Sequence, residues 1–345
     1  MATIGICRAL HTYHYYPLWK TFFERLGFEV VLSPPTNRET VEIGVRVSPP
    51  ELCLPVKVFL GQVEIMRHRV DKLFLPRLVC QRLGKEWFFG CPKAIALPDL
   101  TRAVFPSLSQ TVELIVDQRI KTEETSFQEV AKMLGINGGL AKRAFKEAQI
   151  VSIAAEKKTK EEGSPEHMFK EPGEQPIANR HCESRRDKAI SLYLGSGQSQ
   201  DRERIGERHL AKIGVIGHPY LLFDNCINLG LWKILTELEV LPLVSFPDKT
   251  LIEKEAANKR SVNWYYEMEI LTSVRNFLQT GEVKGLLLIA SFSCGTAAVV
   301  NEIIRREIAR EAKVPILTIL LDEHTAEAGL RTRLESFVDI LERKA

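Results

Sequence analysis

The sequence predicts an α/β protein built from two doubly wound parallel sheets. Three observations carry this. Short apolar runs alternate with helical apolar spacing near both ends of the chain. A strand–turn–helix–strand pattern at Ile4–Val31 recurs at Ile213–Val244. The run Val314-Pro315-Ile316-Leu317-Thr318-Ile319-Leu320-Leu321 is apolar almost throughout, as in the middle of a parallel sheet.

Taken in order, Ala2–Ile6 reads as a strand. Pro17–Leu26 reads as a helix with Leu18, Phe22 and Leu26 on one face, stopped at Gly27. Phe28–Leu32 is the next strand, closed by Ser33-Pro34-Pro35. Thr40–Val45 is a short helix. Prolines on both sides hold Pro49-Pro50-Glu51-Leu52-Cys53-Leu54-Pro55 as a stiff loop before a helix over Lys57–Met66. Asp71–Pro76 and Thr111–Asp117 are strands, and an aromatic strand over Trp87–Phe89 ends at Cys91-Pro92. Ser126–Glu156 is helical, with Ser126 and Glu129 spaced as a capping box. Lys157–His209 is crowded with charged residues, Gly, Ser and Pro, the composition of a long mobile insertion.

The second half restarts at the strand Lys212–Gly217 and the turn His218-Pro219-Tyr220. Asn225–Glu239, Asn263–Thr280, Ala297–Ala309 and Leu330–Arg343 read as helices; Val240–Val244 and Gly285–Ala290 read as strands. The chain thus divides into an N-terminal α/β domain (1–125), a bridging helical segment (126–156), a charged flexible insertion (157–209) and a C-terminal α/β domain (210–345).

Composition narrows the function classes. The 345 residues are 45% hydrophobic and 26% charged, which suits a protein with a sizeable core. A formal net charge of +3 is too small to argue for nucleic acid. No apolar run approaches the roughly 20 residues of a membrane span. Met1-Ala2-Thr3-Ile4-Gly5 carries no signal-peptide hydrophobic region, so a cytoplasmic location is expected. The seven cysteines are scattered and include no CxxC pair, which argues against a disulfide framework, a zinc ribbon or a thioredoxin-like site.

Those cysteines are then either inert buried thiols or ligands gathered from distant segments. Cys294 stands out. It follows the strand Gly285–Ala290 and precedes a helix, so it lies at the carboxyl edge of a sheet, where open α/β sheets bind ligands. A helix N-terminus there also favours a thiolate. Cys53 and Cys91 sit in turns of the same kind. Of the histidines, His218 and His324 are the better functional candidates because they share the sheet edge of Cys294. Glu327, Arg331 and Arg333 either cap the last helix as an ion-pair network or bind a partner or phosphate. Lys57 and Lys93 either neutralise an anionic group near the cysteines or cover the surface.

Several blocks together carry a resemblance to a family. They are Ile4-Gly5-Ile6 with Arg8-Ala9-Leu10, Tyr16-Pro17-Leu18-Trp19-Lys20, Leu32-Ser33-Pro34-Pro35-Thr36-Asn37 and Cys53-Leu54-Pro55-Val56-Lys57. Cys91-Pro92-Lys93 with Leu97-Pro98-Asp99, Gly217-His218-Pro219-Tyr220 and Asp322-Glu323-His324-Thr325 through Glu327-Ala328-Gly329 complete the set. The chain resembles the 2-hydroxyacyl-CoA dehydratase (2-hydroxyglutaryl-CoA dehydratase D-component) superfamily, in its single-chain branch related to acyl-CoA dehydratase activator-type proteins. The resemblance covers both halves and skips about 157–209. Three features depart from the family's pattern: Cys7 where relatives often carry Pro, no Pro after Gly295, and the long charged insertion.

The resemblance implies Rossmann- or flavodoxin-like domains with a cluster site in the cleft between them. It implies a [4Fe-4S] cluster held by Cys53, Cys91 and Cys294, an oxygen-sensitive group suited to anaerobic life. It implies an ATP-dependent activator as electron donor and a radical reductive dehydration or reduction of an acyl-CoA-like substrate, the work of a lyase or an ATP-dependent reductase component. His218, His324 and Glu327 are the candidate catalytic residues, and the family allows a second homologous subunit or a homodimer. The alternative is a non-catalytic iron–sulfur electron-transfer or scaffold protein, or a double-cubane-type reductase, working with such an activator.

Overall fold

A computed structural model describes residues 1–108, 110–169, 211–257, 262–308 and 314–343. It contains two parallel-strand sheets, as the alternation of elements predicts. In the first, β1 (Thr3–Ile6) lies between β2 (Glu29–Leu32) and β3 (Lys72–Leu83), and β5 (Thr111–Asp117) pairs the other side of β3. A short β4 (Glu86–Phe89) folds back antiparallel on the far end of β3. In the second sheet the order is β7 (Leu241–Val244), β6 (Lys212–Gly217), β8 (Gly285–Ser291), β9 (Ile316–Leu321), all parallel. Every residue of β8 is buried, each Leu there contributing about 1.5–3 kcal/mol through burial.

The helices of the first half are α1 (Thr12–Arg25), α2 (Arg38–Val47), α3 (Leu54–Met66), α4 (Pro92–Ile95), α5 (Leu97–Val104), α6 (Glu123–Met133) and α7 (Gly138–Glu162). Those of the second are α8 (Pro219–Leu222), α9 (Leu231–Glu237), α10 (Lys249–Ala256), α11 (Tyr265–Thr280), α12 (Gly295–Ile303) and α13 (Glu327–Arg343). Glycines let α2 and α3 meet backbone to backbone. A Cβ on Gly44 would lie 2.1 Å from the Lys57 carbonyl oxygen, and one on Gly61 2.1 Å from that of Thr40. This contact fixes where α3 begins.

Several elements differ from the sequence reading. The helix expected over Ser126–Glu156 is two helices: Gly135, at φ +75°, ends α6, and Asn137 caps α7 by accepting from the Gly139 N–H at 2.7 Å. Thr122, not Ser126, caps α6; its Oγ1 accepts from Thr125 N at 3.2 Å, while Ser126 is buried inside the helix. Strand β3 runs seven residues past Pro76, which has β5 alone beside it because β1 pairs only as far as Leu73. Between Asn225 and Gly230 the chain makes turns, with Leu229 and Gly230 left-handed, so the helix begins only at Leu231.

Within the charged stretch, residues 157–162 continue α7, and a 3₁₀ turn over Glu166–Phe169 brings the Phe169 ring to 5.0 Å from that of Tyr13. The remainder of the expected insertion, with Cys182, lies outside the described residues.

Candidate functional site

Cys53, Cys91 and Cys294 occupy one kind of position. Each is the N-cap of a helix: Cys53 of α3, Cys91 of α4 and Cys294 of α12. Proline in the first turn of α3 and α4, and Gly295 at the start of α12, set the extended-to-helical switch at each cysteine. A thiol at an N-cap faces the free N–H groups of the first turn, which favour negative charge.

The three thiols share one neighbourhood. Burial pushes the Cys53 thiol up to about 11, and the Cys294 and Cys91 sulfurs add to the rise; the Val56 N–H and Lys93 oppose it. Burial also raises Cys91, with the Ala94 and Lys93 N–H groups opposing and Cys294 reinforcing. Tyr220 feels all of them. Burial raises its phenol far above the ordinary range, then Cys294, Glu267, Cys53 and Cys91 add to it. One buried and two half-buried thiols, with Cys53 and Cys91 each pushed up in part by its sulfur neighbours, form a site that a cation would complete.

Lys93 ties the three loops together. Its Nζ donates to the Glu51 carbonyl oxygen at 2.9 Å, two residues before Cys53, and to the Ser293 carbonyl oxygen at 2.8 Å, next to Cys294. Ser293, at φ +60°, adds a hydroxyl bond to the same Glu51 carbonyl at 3.0 Å. A second tie lies deeper: Lys57, 3% exposed in the first turn of α3, donates to the Glu323 carboxylate beyond β9. Neither lysine is a plain surface cover: Lys57 pairs with a carboxylate and Lys93 fastens two loops.

On the other side of Cys294 runs a buried polar chain. The Cys294 Sγ is 3.5 Å from Thr296 Oγ1, and Thr296 donates to Glu267 Oε1. His218 Nε2 lies 3.7 Å from the same oxygen, and its ring stacks on Tyr220 at 5.0 Å. Burial pushes Glu267 up, but His218 and the Thr296 hydroxyl outweigh it and hold the carboxyl below its ordinary value. Its place in the first turn of α11 also suits a carboxylate. Glu267, Thr296 and Tyr220 escape the sequence reading. The available signal is an acidic residue in the first turn of a helix, set between Tyr266 and Met268.

Of the candidate acid–base groups, only His218 joins this constellation. His324 is exposed in the turn after β9, its backbone N–H bonded to Asp322 Oδ1 at 3.0 Å. Glu327 is exposed at the start of α13, 3.8 Å from Arg331, which also binds Glu237 at 2.6 Å. Glu327 and Arg331 therefore take part in a surface ion-pair network. Cys7 and Cys80 are buried, and burial raises both thiols. Among the described residues, no group of three or more His, Cys, Asp or Glu side chains is arranged to hold a single metal ion. No helix among them is long and apolar enough to cross a membrane.

A family model described as the CoA enzyme activase uncharacterised domain (DUF2229) matches residues 3–245. No curated protein matches the chain.

Proposed function

The chain belongs to the CoA enzyme activase uncharacterised domain family, and from that premise we propose that it is an iron–sulfur partner of an ATP-dependent activator. Its activity on this reading is the radical reductive dehydration, or reduction, of an acyl-CoA-like substrate. The observation that carries the proposal is the set of three cysteine N-caps whose thiols act on one another and whose loops Lys93 ties together.

The donor set fits a [4Fe-4S] cluster better than a lone ion. In a cubane each thiolate binds a different iron, so the sulfurs need not meet at one point. Cys53, Cys91 and Cys294 would hold the cluster, and three thiolates leave one iron free of protein. When bound, such a cluster supplies one-electron transfer at a potential set by charge, hydrogen bonding and burial. The chain's own residues tune those terms. Lys93 places positive charge near the thiols, and the N–H groups of Val56, Lys93 and Ala94 favour negative sulfur. Thr296 links Cys294 to the Glu267 carboxylate, and His218 lies against the same carboxylate oxygen. The substrate dehydrated, the activator and any second subunit belong to the proposal in the same way.

Anaerobic purification followed by iron and acid-labile sulfide analysis tests it. About four irons and four sulfides per chain are expected for one cubane. Cys53→Ala, Cys91→Ala and Cys294→Ala should each abolish the bound iron. Protein without iron or sulfide after anaerobic reconstitution overturns the reading, and full iron in one variant removes that cysteine from the set. An electron-carrier reading is favoured by the exposed positions of His324 and Glu327, which leave one acid–base candidate at the thiols. Turnover of 2-hydroxyacyl-CoA with activator and ATP separates the enzyme from the carrier.

A further inference from the structure

The last strand, β9, lies at the edge of the second sheet and pairs only with β8 among the described residues. Its residues, Ile316-Leu317-Thr318-Ile319-Leu320-Leu321, are those of an interior strand, so the fold puts at an edge what the sequence places in the middle. The other outer strands carry a proline or a charge, which discourages a further strand. Pro242 does so in β7, Glu29 in β2, Glu86 in β4, and Glu113 with Asp117 in β5. β9 has neither. The Leu286 N–H bonds the Pro315 carbonyl at 2.9 Å, and the Phe292 N–H bonds that of Leu321 at 2.8 Å. In a parallel ladder this phase turns the N–H and C=O of Ile316, Thr318 and Leu320 away from β8, to the free edge. Leu320 is 47% exposed and Phe292 60%.

This edge is complementary to itself. Two copies of β9 laid antiparallel about a two-fold axis through Thr318 set Ile316 of each opposite Leu320 of the other, and Thr318 opposite Thr318. Every outward N–H and C=O then gains a partner. Apolar and Thr–Thr cross-strand pairs are favourable, and no charged side chain within the strand opposes them. The ends match as well. Ile304 and Ile308, in the wide turn after α12, share a cluster with Val314 and Ile316 at the amino end of the strand. The same turn exposes Arg305 and Arg306, two cations that share one carboxylate, Glu302. Asp322 follows the carboxyl end. An antiparallel copy brings the acidic end of each strand to the basic end of the other, whereas a parallel copy puts like ends together and leaves the assembly open.

We propose that β9 is a dimerisation edge, paired antiparallel with β9 of a second copy of this chain so that the two sheets become one. The pairing goes beyond the iron–sulfur reading and needs no cluster, so full-length metal-free protein tests it alone. Sedimentation equilibrium from low to high micromolar concentration should show two 39.1 kDa chains per particle. Thr318→Pro removes an outward N–H but no bond to β8, so it should give a monomer whose circular dichroism is unchanged. Leu320→Lys puts a charge at an exposed position of the paired strands and should weaken dimerisation about tenfold or more. It carries the test if Thr318→Pro does not fold. Ile150→Lys, at an exposed apolar position on α7, should leave the dimer unchanged. The proposal is overturned if the wild type is a monomer at every concentration, as it would be with another segment of the chain on the edge. It is also overturned if folded Thr318→Pro and Leu320→Lys proteins dimerise like the wild type, or if Ile150→Lys weakens the dimer as much as Leu320→Lys.

Discussion

In the first sheet the third strand, β3, runs twelve residues and turns back as β4 before the chain reaches Cys91. In the second sheet the corresponding strand, β8, runs seven residues and turns at once into the helix that Cys294 caps. The helix before each third strand differs in the same way. In the first half it opens on Cys53-Leu54-Pro55-Val56-Lys57; in the second it opens on Trp264-Tyr265-Tyr266-Glu267. One order of elements thus presents thiols and ammonium groups from the first half, and one thiol with carboxylates from the second. The seam is complementary: Lys57 meets Glu323, and Lys93 meets the carbonyl of Ser293. Two copies of a plan that differ in charge bind each other face to face, whereas identical ones would repel.

Breaking that complementarity at its most buried point should have the largest effect. Lys57→Met strands the Glu323 carboxylate, and removing one partner of a buried pair costs about 3–5 kcal/mol. Glu323 keeps 16% side-chain exposure, which places the expected loss near the lower figure, about 3 kcal/mol. Urea unfolding should show a lower midpoint with unchanged slope. The double variant Lys57→Met/Glu323→Leu should recover most of the loss. An unchanged midpoint in the single variant would mean that the ion pair does not hold the seam.

A second test uses pH on the network beside the seam. His11 is buried, and its Nδ1 is 2.7 Å from the Tyr266 hydroxyl. Burial, then His14 and His218, push its pKa from 6.5 down to about 3. The folded state therefore keeps His11 neutral where the unfolded chain protonates it. Above about pH 6.5 the difference vanishes; as pH falls from there toward about 3, stability is lost. At pH 5 the loss from this residue is about 2 kcal/mol. His11→Gln should remove that part of the slope when wild type and variant are unfolded at pH 7 and pH 5. Equal slopes would show that His11 is protonated in the fold.

The same contrast separates what the sequence shows from what it hides. Strand, loop and helix around Cys294 are consecutive, so an apolar run followed by Ser293-Cys294-Gly295 is enough to read them. The turns at Cys53 and Cys91 are legible through their prolines. The family-model match supports the resemblance at the level of a CoA enzyme activase domain. What stays hidden depends on the order of strands. Thr296 and Glu267 are 29 residues apart, and Lys93 reaches across 42 residues to Glu51 and 200 to Ser293. No periodicity encodes such pairs, because they form only when β8 lies beside β6 and the two sheets meet. The break between α6 and α7 was readable in principle: Gly135 and Asn137 are a helix stop and a helix cap two residues apart.

Lys93→Met should give the smallest stability change and the sharpest reading of the seam. The ammonium group is partly exposed, so losing its bonds to Glu51 and Ser293 should lower the unfolding free energy by about 1–2 kcal/mol. Ser293 still holds Glu51 through its own hydroxyl, so the loops stay in contact. Lys93→Arg, which keeps the charge but changes its shape, should lie between wild type and Lys93→Met. Iron retained after anaerobic desalting gives the second readout. If Lys93 only fastens loops, Lys93→Met keeps its iron and loses stability alone. If it also offsets the negative charge of three thiolates, iron retention falls in Lys93→Met and is largely kept in Lys93→Arg. The second pattern is the one expected, because Lys93 already opposes the rise of the Cys53 thiol in the fold.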